Sequence, residues 1–506
     1  MVKVTANPIQ KFVIVGGGTA GWIAAATLGN IFKGTDVSIE VVESPEVGII
    51  GVGEATVPIF LDTLRGLGIN EAEFIRATQA TFKWGIEFAD WHTVGERYFH
   101  SFGPVGRKID GHDFYQCWLK CRAEGDTTPF MAHAPEAVLA SQQRFFLPFK
   151  AANTPLATAR YALHLDATLV ARYLAEFCRT LGVIHTRAHV AKVLQHANGF
   201  IKSLKLRDGG EIAGDFFIDC TGFAGLLIEQ TLQAGYHDWS DFLPCNRAVT
   251  VQSERAITTT PYTVAKAREA GWTWRIPLQH RTGNGYVFCS RYVSDDVATA
   301  TLLNAIDTPA LNTPRVIEFT TGIRQQPWLK NCLALGLAQG FLEPLESTAI
   351  HLVSKTLAQF VRSFPALDCD PLLVSEFNRR VLADYTEIRD FLVMHYCTTA
   401  RTDTPFWRDC NAMKLPDSLQ HKLNIFHQTG AVIAGVEDFF GAASWQMVLT
   451  GMERIPAHYN PTLDALNADQ LRQSLAAGKQ ALARIAEAQP LHDDFIREYC
   501  AAPEGV

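Results

Sequence analysis

Phe12-Val13-Ile14-Val15 is an uninterrupted apolar run of the kind found in a buried strand, and Val37-Ser38-Ile39-Glu40-Val41-Val42 reads as a second. Residues 22–28, rich in alanine and leucine, predict a helix between them. An amphipathic helical pattern covers residues 168–181, followed by short β-like runs at 183–185, 190–194 and 200–206. The turn Asp208-Gly209-Gly210 then leads into another strand at Phe216-Phe217-Ile218-Asp219. From about residue 371 the period changes to that of a helix. Phe377, Val381, Tyr385, Ile388 and Leu392 recur at three- or four-residue steps, as do Leu471, Leu475, Leu482 and Ile485, with Asn467 as the expected N-cap of the latter. Residues 84–150 carry many aromatic side chains, Trp84, Trp91 and Trp118 among them, in an irregular pattern that suits an insertion walling a pocket.

The first strand runs without a spacer into Gly16-Gly17-Gly18-Thr19-Ala20-Gly21, a G-x-G-x-x-G sequence in the strand-to-helix context that a dinucleotide requires. Gly16 permits the tight turn, Gly18 lets the backbone approach a pyrophosphate, and Gly21 allows helix and strand to pack closely. Glu43 ends the second strand, 22 residues beyond Gly21, near the spacing at which an acid accepts from a ribose hydroxyl. The predicted fold class is α/β, an α+β composite built on a Rossmann-like module. Residues 1–370 are expected to form a discontinuous dinucleotide-binding module with inserted aromatic-rich segments at about 84–150 and 235–320, and residues 371–506 a mainly helical one. The strand ending in Asp219-Cys220-Thr221-Gly222 resembles a second flavin-side motif of the aromatic hydroxylase type of FAD protein.

Composition narrows the class of partner. Of 506 residues, 47% are hydrophobic and 19% charged, enough for a sizeable core. A formal net charge of −7 without any Lys/Arg run argues against nucleic acid or an anionic membrane surface and for a small substrate. The eleven cysteines include no C-x-x-C pair, so neither zinc nor a disulfide framework is expected. No cleavable signal and no bilayer-length apolar stretch is recognisable, which fits a cytoplasmic location. A second G-x-G-x-x-G for NAD(P)H is also missing, so a bound flavin would be reduced elsewhere.

Four further segments carry a resemblance in the order of one family. They are Gly51-Val52-Gly53-Glu54-Ala55-Thr56-Val57-Pro58, Thr81-Phe82-Lys83-Trp84-Gly85, Trp272-Thr273-Trp274-Arg275-Ile276-Pro277, and residues 336–348, which end in Pro344-Leu345-Glu346-Ser347-Thr348. Together with the fingerprint they resemble the flavin-dependent halogenases of the tryptophan halogenase type. The resemblance implies reduced FAD as cofactor, halide as co-substrate, a small aromatic substrate, a separate flavin reductase, and an assembly that a homodimer would satisfy. It implies that hypohalous acid passes through a tunnel to Lys83, beside the carbon to be halogenated, and that Glu346 assists as the partner carboxylate. FAD would be held by Gly16, Gly17, Gly18, Thr19, Ala20, Gly21, Glu43, Gly53, Val190, Asp219, Leu337 and Ile350, and halide by the amides of Thr348 and Ala349. Ala349 stands where the family commonly has glycine; chloride against bromide stays open, with a lean to bromide because it is easier to oxidise. Trp272 and Trp274 would wall the flavin from the substrate, while His100, Phe102 and Ser347 would line the substrate site, the first two stacking on an indole. Residues 438–445 lack the paired tyrosines and downstream glutamate that hold free tryptophan in that family, so an aromatic without a zwitterionic handle is expected, with free tryptophan a poor substrate.

Each of these residues also has a plainer reading. A lysine among aromatics commonly snorkels to solvent, Glu346 could simply favour a helix N-terminus, and tryptophans at i and i+2 are ordinary residues on one strand face. An aromatic hydroxylase using the same flavin chemistry and a flavin-binding protein without turnover are the competing functions.

Overall fold

A computed structural model describes residues 8–46, 48, 53–151, 153–435 and 437–503. Gly51 and Val52 of the first resembling segment lie outside them. The chain divides into two compact units, each drawn from three stretches: Met1–Thr78, Leu165–Asp241 and Phe319–Thr386 in one, Gln79–His164, Phe242–Glu318 and Glu387–Val506 in the other. The division falls inside one continuous helix, Pro371–Cys397, whose periodic residues Phe377, Val381, Tyr385, Ile388 and Leu392 are all buried.

The first unit is built on a six-stranded sheet in the order Trp328–Leu329, Cys332–Ala334, Phe216–Asp219, Lys11–Val15, Ser38–Glu43, Ile184–Arg187. The strand Lys11–Val15 pairs in parallel with both Phe216–Asp219 and Ser38–Glu43. Phe12, Val13 and Ile14 are fully buried whichever face they point to, which is why these strands read as continuous apolar runs and not as alternations. The helices Thr19–Ile31, Ala167–Thr180 and Ala349–Arg362 pack around the sheet's first crossover. The α/β expectation holds. Asp219, at the end of its strand, is fully buried and turns both oxygens back to the chain: one accepts from the Thr221 amide and hydroxyl, the other from the amides of Leu227 and Ile228 at 2.7 and 2.8 Å.

The second unit holds a seven-stranded sheet ordered Arg315–Glu318, Arg247–Glu254, Arg281–Phe288, Gly271–Pro277, Thr263–Arg268, Gly85–Ala89, Arg97–Ser101. The aromatic segment expected to be irregular therefore opens as two regular strands. Gly85, Ile86, Phe88 and Ala89 are buried on both faces of that sheet, so no apolar/polar alternation survives to announce them. The helix Ala468–Glu487 begins at Asn467, whose side chain accepts from the Gln470 amide as expected of an N-cap. It packs on the helices Phe114–Ala123 and Pro135–Ser141. In the latter, Glu136 is fully buried; its Oε1 accepts from the Arg160 amide at 2.8 Å, and the Gly103 amide also bonds to the carboxyl. Burial raises the Glu136 carboxyl to about 7, with those amides pulling the other way.

No cysteine forms a disulfide. Among the described residues no helix is long and apolar enough to cross a membrane.

Two carboxylates give tests of this architecture. Asp219→Ala strands four donors and should lower unfolding stability by roughly 3–5 kcal/mol in urea titrations, with a loss below about 1 kcal/mol contradicting the account. For Glu136 the folded-state pKa lies above the unfolded value of 4.5, so its contribution is fully present below pH 4.5 and is lost as pH rises through about 7. Glu136→Gln should abolish a decline of roughly 3 kcal/mol between those limits; an unchanged pH slope of stability would contradict this.

Candidate functional site

In the first unit the strand Lys11–Val15 delivers the backbone into a turn that leaves no room for side chains except at one place. A Cβ at Gly16, where φ is +119°, would meet the Cys220 carbonyl oxygen at 2.2 Å, and one at Gly21 would meet the Gly16 oxygen at 1.9 Å. At Gly18 a Cβ would meet nothing within 4 Å. That open side faces the start of the helix Thr19–Ile31, whose N-cap Gly18 has no side chain to occupy the first-turn amides. An anion is the natural partner of such an end. The Glu43 side chain lies across Gly17, where a Cβ would stand 2.3 Å from its Cδ, and His185 Nε2 sits 2.8 Å from Glu43 Oε2. The residues present fit a dinucleotide: free amides for the pyrophosphate and an anchored carboxylate for a ribose. His185 went unread in the sequence because only the parallel pairing of Ser38–Glu43 with Ile184–Arg187 brings it there.

The remaining expected nucleotide residues also belong to this unit. Gly53 opens the short strand Gly53–Ala55, Val190 begins the strand Val190–Gln195, Leu337 lies in the 3₁₀ turn Gly336–Ala338, and Ile350 in the first turn of Ala349–Arg362. Asp219 spends its carboxylate on the local chain, as described. Beside Gly53, the carboxyl of Glu54 is raised to about 7, first by loss of solvent and then by the charge of Asp166.

The turn at residues 344–348 is conformationally unusual. Glu346 ends the 3₁₀ turn Pro344–Glu346 and is 2% exposed; Ser347 then takes the left-handed conformation, φ 60° and ψ 35°, at a cost of about 1–2 kcal/mol for a non-glycine residue. Strain of this kind is held where surroundings fix a particular geometry. Thr348 follows as the N-cap of Ala349–Arg362 without a side-chain cap, and its buried hydroxyl has no hydrogen-bond partner. The first-turn amides, beginning with Ala349, are thus not capped by Thr348.

In the second unit the strand Thr81–Lys83 is fully buried and pairs antiparallel with Ala162–Asp166, Thr81 opposite His164 and Lys83 opposite Ala162. Thr81 and Lys83 point to one face. Phe82 and Trp84 point to the other, Phe82 stacked on Phe145 at a centroid distance of 4.1 Å and Trp84 tilted against it at 4.7 Å. Lys83 does not snorkel. It is 0% exposed, with its Nζ 5.2 Å from the centroid of the Phe102 ring. His100, two residues before Phe102, packs against Phe391 at 5.6 Å and Phe440 at 6.1 Å, and those two rings stack at 3.7 Å.

Trp272 and Trp274 lie on one face of the strand Gly271–Pro277 with centroids 6.0 Å apart. Trp272 joins a cluster with Trp91, and the Trp274 ring covers Gly285, where a Cβ would approach to 2.1 Å. The indole N–H of Trp274 is buried without a partner. Lys83, His100, Phe102, Trp272 and Trp274 thus belong to one unit, while Glu346, Ser347, Thr348 and Ala349 belong to the other.

Near His100, Glu387 accepts from the Phe440 amide, and burial, then Asp438, raises its carboxyl to about 7. Asp438 accepts from the Gly435 amide and pairs with Lys422 at 3.6 Å; Lys422 in turn sits 4.9 Å from the Trp445 ring centroid.

The comparisons with known proteins agree with one another. The tryptophan halogenase family model matches residues 11–468. Tryptophan 7-halogenase RebH of Lentzea aerocolonigenes is 33% identical over 534 residues, covering 97% of this chain and 98% of its own. BrvH, a flavin-dependent halogenase from Brevundimonas sp. BAL3, is similar in structure with a TM-score of 0.94 at 39% identity, covering 98% of this chain and all of its own. Xcc4156, a flavin-dependent halogenase from Xanthomonas campestris, matches with a TM-score of 0.94 at 43% identity over 98% of this chain and 99% of its own. The glycine cradle, the buried lysine over an aromatic ring and these likenesses converge: the chain belongs to the tryptophan halogenase family, a flavin-dependent enzyme that uses FAD and halide to halogenate an aromatic substrate.

Proposed function

We propose that Lys83 receives hypohalous acid and presents the halogen to an electron-rich aromatic of the indole type, with Glu346 assisting as the base that takes the ring proton. Bound FAD, supplied reduced, provides with dioxygen the oxidation that turns one halide and one proton into hypohalous acid and water. The observation that carries the reading is the position of the Lys83 amine, wholly removed from water and set over the Phe102 ring. A site without water spares an electrophilic halogen from side reactions. A primary amine there can hold hypohalous acid by hydrogen bonding, or exchange an N–H for an N–halogen bond with release of water. The aromatic ring then gains the halogen and loses a proton, the group a carboxylate such as Glu346 accepts. The first-turn amides beginning at Ala349, which Thr348 does not cap, support a halide site at Thr348 and Ala349.

The aromatic side chains about His100 support a flat substrate, and the charges nearby are engaged with one another. Asp438 with Lys422, and Glu387 with the Phe440 amide, leave a free amino acid's ammonium and carboxylate poorly matched. The substrate is therefore an indole or similar ring without the zwitterion, and bromide, the more easily oxidised halide, is preferred over chloride.

With a flavin reductase, FAD and bromide, Lys83→Ala should lose halogenated indole by roughly 100-fold or more while hypohalous acid, caught by a soluble scavenger, still forms. Product retained, or loss of the trapped oxidant as well, would contradict the role of Lys83. Glu346→Gln should lower the halogenation rate roughly 100- to 10,000-fold. Indole should exceed free tryptophan in kcat/KM by about 10-fold or more in direct competition, and an inverted preference would overturn the substrate assignment.

A further inference from the structure

The strand that carries Lys83 has only three residues, too few to fix its own position, and two buried histidines grip it from different directions. Thr81 Oγ1 lies 2.6 Å from the Pro277 carbonyl oxygen. A carbonyl can only accept, so the single hydroxyl proton of Thr81 is committed there. The same Oγ1 lies 3.1 Å from His164 Nδ1 and must therefore accept, which puts the imidazole proton on Nδ1. With burial and the positive charge of Lys83 keeping the ring neutral, His164 Nε2 is bare and accepts from the Thr263 hydroxyl at 2.9 Å. On the other side, the Phe82 amide donates to His492 Nε2 at 3.3 Å, and His492 Nδ1 lies 2.6 Å from the Thr259 carbonyl oxygen. Donor counting gives the same answer: Nδ1 carries the proton and Nε2 is bare.

We propose that His164 and His492 are positioning residues for Lys83, locked as neutral Nδ1–H imidazoles that fix the Thr81–Lys83 strand against the strands ending at Pro277 and beginning at Thr263. The inference rests on the delivery role of Lys83. Through Thr81, His164 ties the lysine to the first residue of the strand Thr263–Arg268, while Thr81 itself reaches the end of the strand bearing Trp272 and Trp274. Through Phe82, His492 ties it to the first residue of the C-terminal helix His492–Tyr499, 410 positions away in sequence. The charge balance agrees. Burial, then the positive charge of Lys83, holds His164 well below its usual range, and burial lowers His492 to about 4. Protonating His492 would set an Nε2–H against the Phe82 amide, donor against donor, and protonating His164 would oblige the Thr263 hydroxyl to turn and accept.

The test combines a spectroscopic reading on the wild type with a partition measurement on variants. In ¹⁵N-histidine NMR of the full-length protein, both rings should appear as neutral Nδ1–H tautomers at pH 7; an imidazolium or an Nε2–H tautomer for either would overturn the assignment even if variants fail to fold. The ratio of halogenated indole to scavenger-trapped hypohalous acid is then measured with bromide. His164→Leu and His492→Leu should lower it about 10-fold or more at an unchanged rate of reduced-FAD consumption. His164→Asn, which restores a donor to Thr81, and His492→Gln, which restores an acceptor for the Phe82 amide, should recover part of it. If Lys83→Ala lowers the ratio but the leucine variants keep the wild-type value, the histidine proposal alone is wrong. If Lys83→Ala also keeps it, the delivery role fails and this inference with it.

Discussion

One constraint organises the second unit: the amine of Lys83 has been taken entirely out of water. Removing an ammonium from solvent is costly unless the protein supplies partners or a π face. Here the Phe102 ring lies beneath the amine at 5.2 Å, and the strand that bears it is fixed from several sides. The Phe82 and Trp84 rings lock into Phe145 on the opposite face, the Trp84 amide donates to the Pro261 oxygen at 2.7 Å, and Thr81 reaches Pro277. A three-residue strand contributes little stability of its own. Its precision is borrowed from the sheet and from the C-terminal helix.

The first unit solves a different problem with the opposite means. Its fingerprint turn excludes side chains so that backbone amides can face an anion, and its turn at residues 344–348 keeps Ser347 in a left-handed conformation where Thr348 begins a helix without capping it. Both devices leave N–H groups for a ligand that the chain itself does not provide. The Asp219 carboxylate does the reverse. It satisfies four donors of the turn that follows its strand and so shapes that turn.

What the sequence made legible was local. The G-x-G-x-x-G turn, Glu43, the strand Phe216–Asp219, the helical stripe about Tyr385 and the Asn467 cap each depend on neighbours a few residues away, and each was readable by period or spacing. The motif resemblance added Lys83 and Glu346, which no periodicity would single out. The strand Gly85–Ala89 was missed because burial on both faces erases alternation, and Arg97–Ser101 because its outward Phe99 is as apolar as the buried Tyr98 beside it, leaving no apolar/polar contrast in the sequence. Glu136, His164, His185 and His492 were missed for another reason: their partners lie far off in the chain, 83 residues for His164 and Thr81, 142 for His185 and Glu43, 410 for His492 and Phe82. A histidine or glutamate looks like any other until the fold brings its partner.

The central claim, that oxidised halogen is carried by the buried amine of Lys83, is tested most directly by separating oxidation from substrate in time. Enzyme turned over with reduced FAD, dioxygen and bromide but no aromatic is freed of small molecules by rapid gel filtration and then given indole. The account predicts bromoindole in an amount approaching, and never exceeding, that of the protein, and none from Lys83→Ala treated alike. No product from the wild type, or equal product from the variant, would contradict it.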